Sequence, residues 1–231
     1  MGFFDFLHKQ KTADTQGPDY LYSEQELQEY EAYVEAHLGS YDQVFHEIAS
    51  PDIHLDVILI PPASEHPYYT LVTMGAGAFR MNIPDSLQGY DLDYAEYVML
   101  LPATWNLSSV EESDYWPMRA LKNTARLPIY TDSWLGYGHT VQAKEDGSPY
   151  AENTGFNSLM LANAVGLDGS SLSLTLSSGR KLNFFLLIPI YPEELQFKMQ
   201  NDADALLDLL LELPGFPVLD LQRKNTALPD A

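Results

Sequence analysis

His54-Leu55-Asp56-Val57-Ile58-Leu59-Ile60-Pro61-Pro62 carries two polar residues, His54 and Asp56, on one face and is apolar on both faces from Val57 onward. Successive residues of an extended chain point to opposite faces, so a run with no polar relief on either predicts a central strand covered on both sides. Pro61 and Pro62 stop it, because proline has no amide to give to a ladder. Tyr68 to Met74 is the next strand, broken by Gly75-Ala76-Gly77, and Tyr94 to Leu101 is a third, ended by Pro102. Three strands in succession predict a meander. The glycine pair supplies a bend or lets another backbone approach closely.

Helices flank these strands. Ser23-x-x-Glu26 is a capping box, and Leu27, Tyr30, Val34 and Leu38 follow on one helical face up to Gly39. Ser40-x-x-Gln43 opens a second short helix in this reading, with Val44, Phe45 and Ile48 inward and Pro51 as its stop. Residues 113–126 form a helix with Trp116, Ala120 and Leu121 inward, Pro117 tolerated in its first turn and Pro128 closing it. A loop-rich stretch, 129–155, holds one short strand near Tyr137 to Val141, and Phe156 to Leu161 is another strand. Leu172, Leu174 and Leu176 alternate, Ser178-Gly179 turns, and Leu182 to Ile190 runs back as a hairpin. Two helices finish the chain, Pro192 to Met199 and Asp202 to Leu213, the second capped by Asn201. The expected fold is α+β: a mixed, mostly antiparallel sheet flanked by helices in a single compact domain. Residues 1–19 are a flexible leader with a short amphipathic tip, 20–215 the domain, and 216–231 a tail that docks through Phe216, Val218 and Leu219.

Composition narrows the function. The 231 residues carry 12 Lys and Arg against 33 Asp and Glu, a formal net charge of −21. The imbalance lies mostly in residues 1–118, where Lys9, Lys11 and Arg80 face 20 acids. Such a surface repels phosphate backbones, so no nucleic acid is expected as a partner; it attracts basic proteins or simply keeps the chain dissolved. There is no Cys, which excludes disulfides, thiolate metal sites and cysteine nucleophiles. In Met1-Gly2-Phe3-Phe4-Asp5-Phe6-Leu7-His8-Lys9 the basic residues follow a short apolar run, unlike a signal peptide, and Phe6 occupies the position a myristoylation site gives to Ser or Thr. No apolar stretch nears the roughly 20 residues of a membrane span. A cytoplasmic protein is expected.

No dinucleotide fingerprint, phosphate loop, nucleophile elbow, HExxH or EF-hand loop is present. The chemical material left is histidine and isolated acids. His54 and Asp56 share a strand face; with His139 and His66 they compose an imaginable metal or acid–base site, against the alternative of hydrogen-bonded structural histidines. Glu96 lies inside an apolar strand, where a carboxylate either receives a partner's Lys or Arg or anchors a structural network. Trp134 stands in a loop and reads equally as core or as a contact anchor. Glu193 and Glu194 follow Pro192 in a first helical turn, where acids suit the macrodipole.

Several of these segments, in order, resemble the suppressor of fused family: His54 to Pro62, Tyr69-Thr70-Leu71-Val72-Thr73-Met74-Gly75, Ala95 to Pro102 with Trp105, Trp116 and its helix, Gly138-His139-Thr140, and Leu187 to Glu194. The resemblance covers roughly residues 30–213 and is to the amino-terminal lobe of the two-lobed animal member. It implies a non-catalytic module without a cofactor, which binds another protein as the animal member clasps a peptide as an added strand. Stand-alone domains of this kind look like bacterial immunity proteins that bind and neutralise a toxin polypeptide.

The reading is therefore a protein-binding module whose partner is another, basic protein, a toxin or a regulator. Its contact residues are Asp56, Glu96, Trp134, His139 and Glu194. The alternative is a hydrolase or metal-binding protein using His54, Asp56, His66 and His139. A DNA mimic is a variant of the first reading that needs the acids in regular rows.

Overall fold

The computed structural model describes residues 20–48, 50 and 52–228. The leader expected over 1–19 lies outside them. Helix α1, Glu24–His37, starts at the capping box: Ser23 Oγ accepts from the Glu26 amide and Glu26 returns a bond to the Ser23 amide. Strands β1 (Gln43–Phe45), β2 (Asp56–Ile60), β3 (Tyr68–Met74) and β4 (Tyr94–Pro102) follow. Next come α2 (Glu112–Thr131), β5 (Thr140–Gln142), β6 (Ser158–Asn163), β7 (Ser173–Thr175) and β8 (Lys181–Ile190). Helices α3 (Pro192–Gln200) and α4 (Ala203–Leu211) complete the order.

The strands form one sheet in the order β1-β2-β3-β4-β8-β6-β5, with β7 also paired to β8. The meander of β2, β3 and β4 is antiparallel, β4 and β8 run parallel, and β8 pairs antiparallel with β6 and β7. This is the expected α+β domain, and alternation along its strands sorts side chains into two cores. Val57, Leu59, Leu71, Tyr97 and Met99 pack under α2 with Trp116 and Leu121. Ile58, Ile60, Val72, Val98 and Phe184 face α1 and α4, meeting Tyr30, Val34, Leu206 and Leu210. Covering both faces explains why β2 and the inner half of β8 read as unbroken apolar runs.

Three local expectations are corrected. The second short helix does not form: Gln43–Phe45 is instead edge strand β1, with Val44 opposite Ile58 and Phe45 opposite Val57. Val44 packs toward α1 and Phe45 toward α2, the two-sided alternation of a strand, and Ile48 is fully exposed rather than inward. A helix this short has little stability of its own, and pairing to β2 wins. Pro128 does not close α2, which continues to Thr131; the last turn is held by Thr131 Oγ1 donating to the Leu127 carbonyl and by a left-handed Asp132 whose amide bonds to the Pro128 carbonyl. Asn201 does not cap α4. Asp202 does, its Oδ1 accepting from the Ala205 amide, while Asn201 Nδ2 donates back to the Phe197 carbonyl of α3.

The chain after α4 crosses the place where β4 and β8 diverge. Their parallel pairing runs from Tyr94–Leu182 to Val98–Leu186. Beyond it the Leu219 amide donates to the Leu100 carbonyl, and Arg223 Nη2 donates to the Pro189 carbonyl. Leu219 is buried in the α2-side core and Phe216 packs on the other.

Candidate protein-binding site

After α2 the chain reverses through Trp134-Leu135-Gly136-Tyr137-Gly138 and enters β5. Leu135 is buried and pins the loop. Gly138 has φ +77° and sits where a Cβ would come within 3.1 Å of the Ala203 methyl, so the turn needs glycine for conformation and for space. Its amide donates to the Leu161 carbonyl, and the His139 carbonyl accepts from the Leu161 amide, extending the pairing of β5 with β6. The other edge of β5 has no strand beside it among the described residues.

Trp134 and His139 are brought together here. Their ring centroids lie 4.3 Å apart with planes at 60°, an edge-on contact, and both side chains are half-buried. Burial holds the His139 imidazole below its ordinary pKa; a hydrogen bond from the ring to the Trp134 backbone opposes this and the charge of Lys198 adds to it, leaving the ring neutral at pH 7. Beside it lies an open cleft of about 440 Å³ between the 137–139 turn and the α3–α4 junction, with Met199 exposed on its rim. Tyr137 bonds to Asp204 across this cleft; its phenol is pushed up to about 12, by burial first and then by the Asp204 carboxylate.

Asp56 and His54 occupy a different place, the start of β2. Asp56 is buried and accepts from the Glu47 amide at 2.9 Å, with His46 Nδ1 at 2.9 Å and His54 Nε2 at 3.3 Å on its two oxygens. Next to it Arg126 of α2 pairs with Glu47 at 2.5 Å and with Asp52 at 3.1 Å. These contacts tie the 46–56 segment to α2. His46, Glu47, Asp52 and Arg126 were not singled out by the sequence, where nothing marks partners more than 70 residues apart.

Glu96 has no solvent exposure. Its Oε1 accepts from Tyr22 Oη at 2.6 Å and from the amides of Gly75 and Gly77 at 2.9 and 3.0 Å; its Oε2 accepts from Thr73 Oγ1 at 2.5 Å. Gly75 also serves the close approach expected of it, since a Cβ there would lie 2.0 Å from the His54 carbonyl oxygen. Burial raises the pKa of Glu96, and the four hydrogen bonds offset only part of the rise. Glu194 is equally buried. It accepts from both terminal nitrogens of Arg223 at 2.6 Å, from the Tyr191 amide and from Thr226. Burial pushes its pKa up, but the hydrogen bonds and charge of Arg223 outweigh that and hold it below the ordinary value. The Arg223 guanidinium lies over the touching rings of Phe156 and Tyr191, 4.7 and 4.9 Å from their centres.

The four residues of the imagined metal or acid–base site are not assembled. His54 and Asp56 touch, His139 lies on Trp134, and His66 is buried beside Gly39 and Tyr68. Among the described residues no group of three or more His, Cys, Asp or Glu is arranged to hold a metal ion.

The class defined so far is an α+β domain with a mixed sheet buried on both faces, whose edge strand β5 is flanked by a half-buried aromatic pair. The family model described as Suppressor of fused protein (SUFU) matches residues 51–224, and the chain belongs to that family. Among solved structures, a putative SUFU homolog from Neisseria gonorrhoeae FA 1090 aligns with TM-score 0.59 at 19% identity over 91% of this chain and 98% of that one. The Sufu–Fu complex aligns with TM-score 0.53 at 14% identity, over 75% of this chain and 76% of that one. Drosophila Suppressor of Fused gives TM-score 0.53 at 13% identity over 74% of this chain, which spans 42% of the Drosophila protein. At these identities the likeness is one of fold. No curated protein matches the chain by sequence. No helix among the described residues is long and apolar enough to cross a membrane.

Proposed function

We propose that this chain is a non-catalytic protein-binding module that takes up an extended segment of another polypeptide along the free edge of β5, beside Trp134 and His139. The observation that carries the reading is the unpaired edge itself: backbone donors and acceptors without a strand beside them, next to a half-buried aromatic pair and a cleft. Added-strand recognition draws affinity from such an edge and specificity from adjacent pockets. A neutral His139 at pH 7 leaves the contact free of like-charge repulsion against a basic partner. Membership in the suppressor of fused family supports the same reading, since one of the similar structures is Sufu in complex with another protein, Fu.

The finer proposal is an immunity protein acting in the cytoplasm on a basic toxin. A net charge of −21 speeds the approach of such a partner and makes the association salt-sensitive. Of the five contact residues read from the sequence, Trp134 and His139 are the direct ones in this proposal. Asp56 supports the opposite end of the sheet, and Glu96 and Glu194 act through the fold, since neither reaches the surface.

The test is capture of partners by the tagged chain from its native lysate at low and high salt, repeated with Trp134→Ala/His139→Ala. A single stoichiometric partner, weakened by salt and lost from a variant that unfolds like the parent, is the expected result. A partner retained in full by the double variant removes the site from β5. The absence of any partner at either salt removes the immunity reading.

A further inference from the structure

Two hollows in the surface meet at Trp105, in the turn that follows β4. The larger, about 550 Å³, lies between this turn and the chain after α4, against Pro102, Pro214, Val218 and Leu221. The smaller, about 330 Å³, lies between edge strand β1 and the first turns of α2, against Phe45, Leu107 and Met118. Trp105 and Asp114 line both, so they are the shared wall of one trough. The indole is fixed from three directions. The Trp105 amide donates to the Pro102 carbonyl at 2.9 Å, its Nε1 donates to the Asp114 carbonyl at 2.9 Å, and the ring stands edge-on to buried Trp116. Its one side-chain donor is thereby used, and what the half-buried ring offers the trough is π surface. We propose that this trough is a second docking site, and that its occupant is an extended segment of a basic protein, with an arginine in the larger hollow and a large apolar side chain in the smaller.

Charge selects this occupant. Asp114 and Asp220 stand in the larger hollow, and neither carboxylate is ion-paired among the described residues. An arginine there meets two acids and the face of an indole, while its aliphatic stem lies along the proline and valine walls. The smaller hollow is apolar within and carries a cation, Lys122, in its lining, which sets it against a second basic side chain. Side chains two residues apart on an extended chain project to the same face, about 7 Å from one another, so one strand-like segment reaches both sides of Trp105. The outer side of β1 has no strand beside it among the described residues, which leaves backbone groups for that segment next to the smaller hollow. A second copy of this chain suits the trough less well, because two chains of net charge −21 repel. The trough shares no lining residue with the cleft beside β5 and stands whether or not that edge binds.

The chain has three tryptophans, Trp105, Trp116 and Trp134, so the indole N–H signals of the full chain report the trough, the core and the β5 cleft separately. The probe is a capped pentapeptide with phenylalanine and arginine two residues apart, titrated into the millimolar range at low salt. Saturable shifts of the Trp105 indole and of the Leu107 and Leu221 amides, with Trp134 unmoved, are the expected result. Asp114→Asn/Asp220→Asn should weaken this binding about fivefold. The same variant should unfold like the parent, because the Asp114 group that holds the indole is its main-chain carbonyl. Citrulline in place of the peptide's arginine keeps the shape and removes the charge; it should weaken binding to the parent by a similar factor and make little difference to the double variant. Equal affinity of the parent for the two peptides overturns the proposal, as does a Trp105 signal that never moves. Shifts centred on Trp134 overturn it too and place the segment at β5. A Trp105 signal that moves with protein concentration alone overturns it in favour of a second copy.

Discussion

Glu96 and Glu194 are both carboxylates with no solvent exposure, and the protein holds them in opposite ways. Glu194 meets a cation: Arg223 binds both oxygens, and the pair is closed over by aromatic rings. Glu96 meets no cation, and two hydroxyls and two backbone amides share its charge. Their pKa values accordingly move apart, Glu194 down and Glu96 up. The difference separates two uses of a buried acid. Glu194 fastens the chain after α4 across the split between β4 and β8. Glu96 gathers α1's entry, the end of β3 and the glycine bend around one point. The first is an ion pair that stands or falls as a unit; the second is a hub that can change its protonation and survive.

The strongest way to break the comparison is Arg223→Met. It leaves Glu194 buried without its cation, held only by the Tyr191 amide and Thr226, and breaking a buried ion pair in this way costs about 3–5 kcal/mol. It also removes the donor to the Pro189 carbonyl, so Leu219 and its neighbours loosen from β4 and β8. The urea midpoint at pH 7 should fall accordingly, and Glu194→Gln in the same chain should recover much of the loss. A single variant as stable as the parent would show that the pair is not what holds this segment.

That pair also marks the limit of what was legible in the sequence. Elements set by local signals were readable: the capping box of α1, the two-sided apolar run of β2, the strands β3 and β4 with their Gly and Pro stops, and the β7–β8 hairpin with its Ser178-Gly179 turn. β1 was not, because its three residues become a strand only by pairing with β2. The continuation of α2 past Pro128 depends on a hydroxyl and a left-handed residue after it, and the capping of α4 by Asp202 rather than Asn201 is a choice between adjacent candidates. For the site, Glu96 was legible as a problem, a carboxylate in an apolar strand, and the glycine bend as a close approach. That one answers the other, through the Gly75 and Gly77 amides, needed the register of β3 against β4. Trp134 was readable as a loop residue and His139 as part of a short strand near Tyr137 to Val141, whereas their contact, like that of Glu194 with Arg223, is made only by the fold.

A smaller effect is expected from Tyr22→Phe, which deletes the phenol donor to Glu96 and nothing of its ring packing on Tyr30. A hydrogen bond to a charged group is worth roughly 1.5–3 kcal/mol, and a loss near the low end is expected because three donors remain. That bond holds the pKa of Glu96 down, so its removal should raise it further. The deficit should therefore be largest where Glu96 is ionised in the parent and shrink as acid protonates it. A deficit constant between pH 7 and pH 4 would mean that the Tyr22 hydroxyl does not distinguish the ionised from the protonated form of Glu96.

The smallest change, and the one that sharpens the comparison most, is Glu96→Gln. The side-chain oxygen keeps Tyr22, Gly75 and Gly77, and the amide turns toward Thr73 Oγ1, which already accepts from the Tyr97 amide. A cost of about 1 kcal/mol at neutral pH follows from that one rearranged hydroxyl. The informative quantity is the slope. A carboxyl raised on folding adds stability as pH drops from above its folded value toward its unfolded value near 4.5, and loses it as pH rises. One lowered on folding contributes fully above about 4.5 and loses that contribution as pH falls through its folded value. On acidification from pH 7 the parent should thus gain from Glu96 before it loses from Glu194. In urea titrations across that range, Glu96→Gln should abolish the gain and leave the later loss, and Glu194→Gln should do the reverse. If both variants titrate in parallel with the parent, the two carboxylates are not held in opposite senses, and the distinction between an ion-paired fastener and a neutralisable hub does not survive.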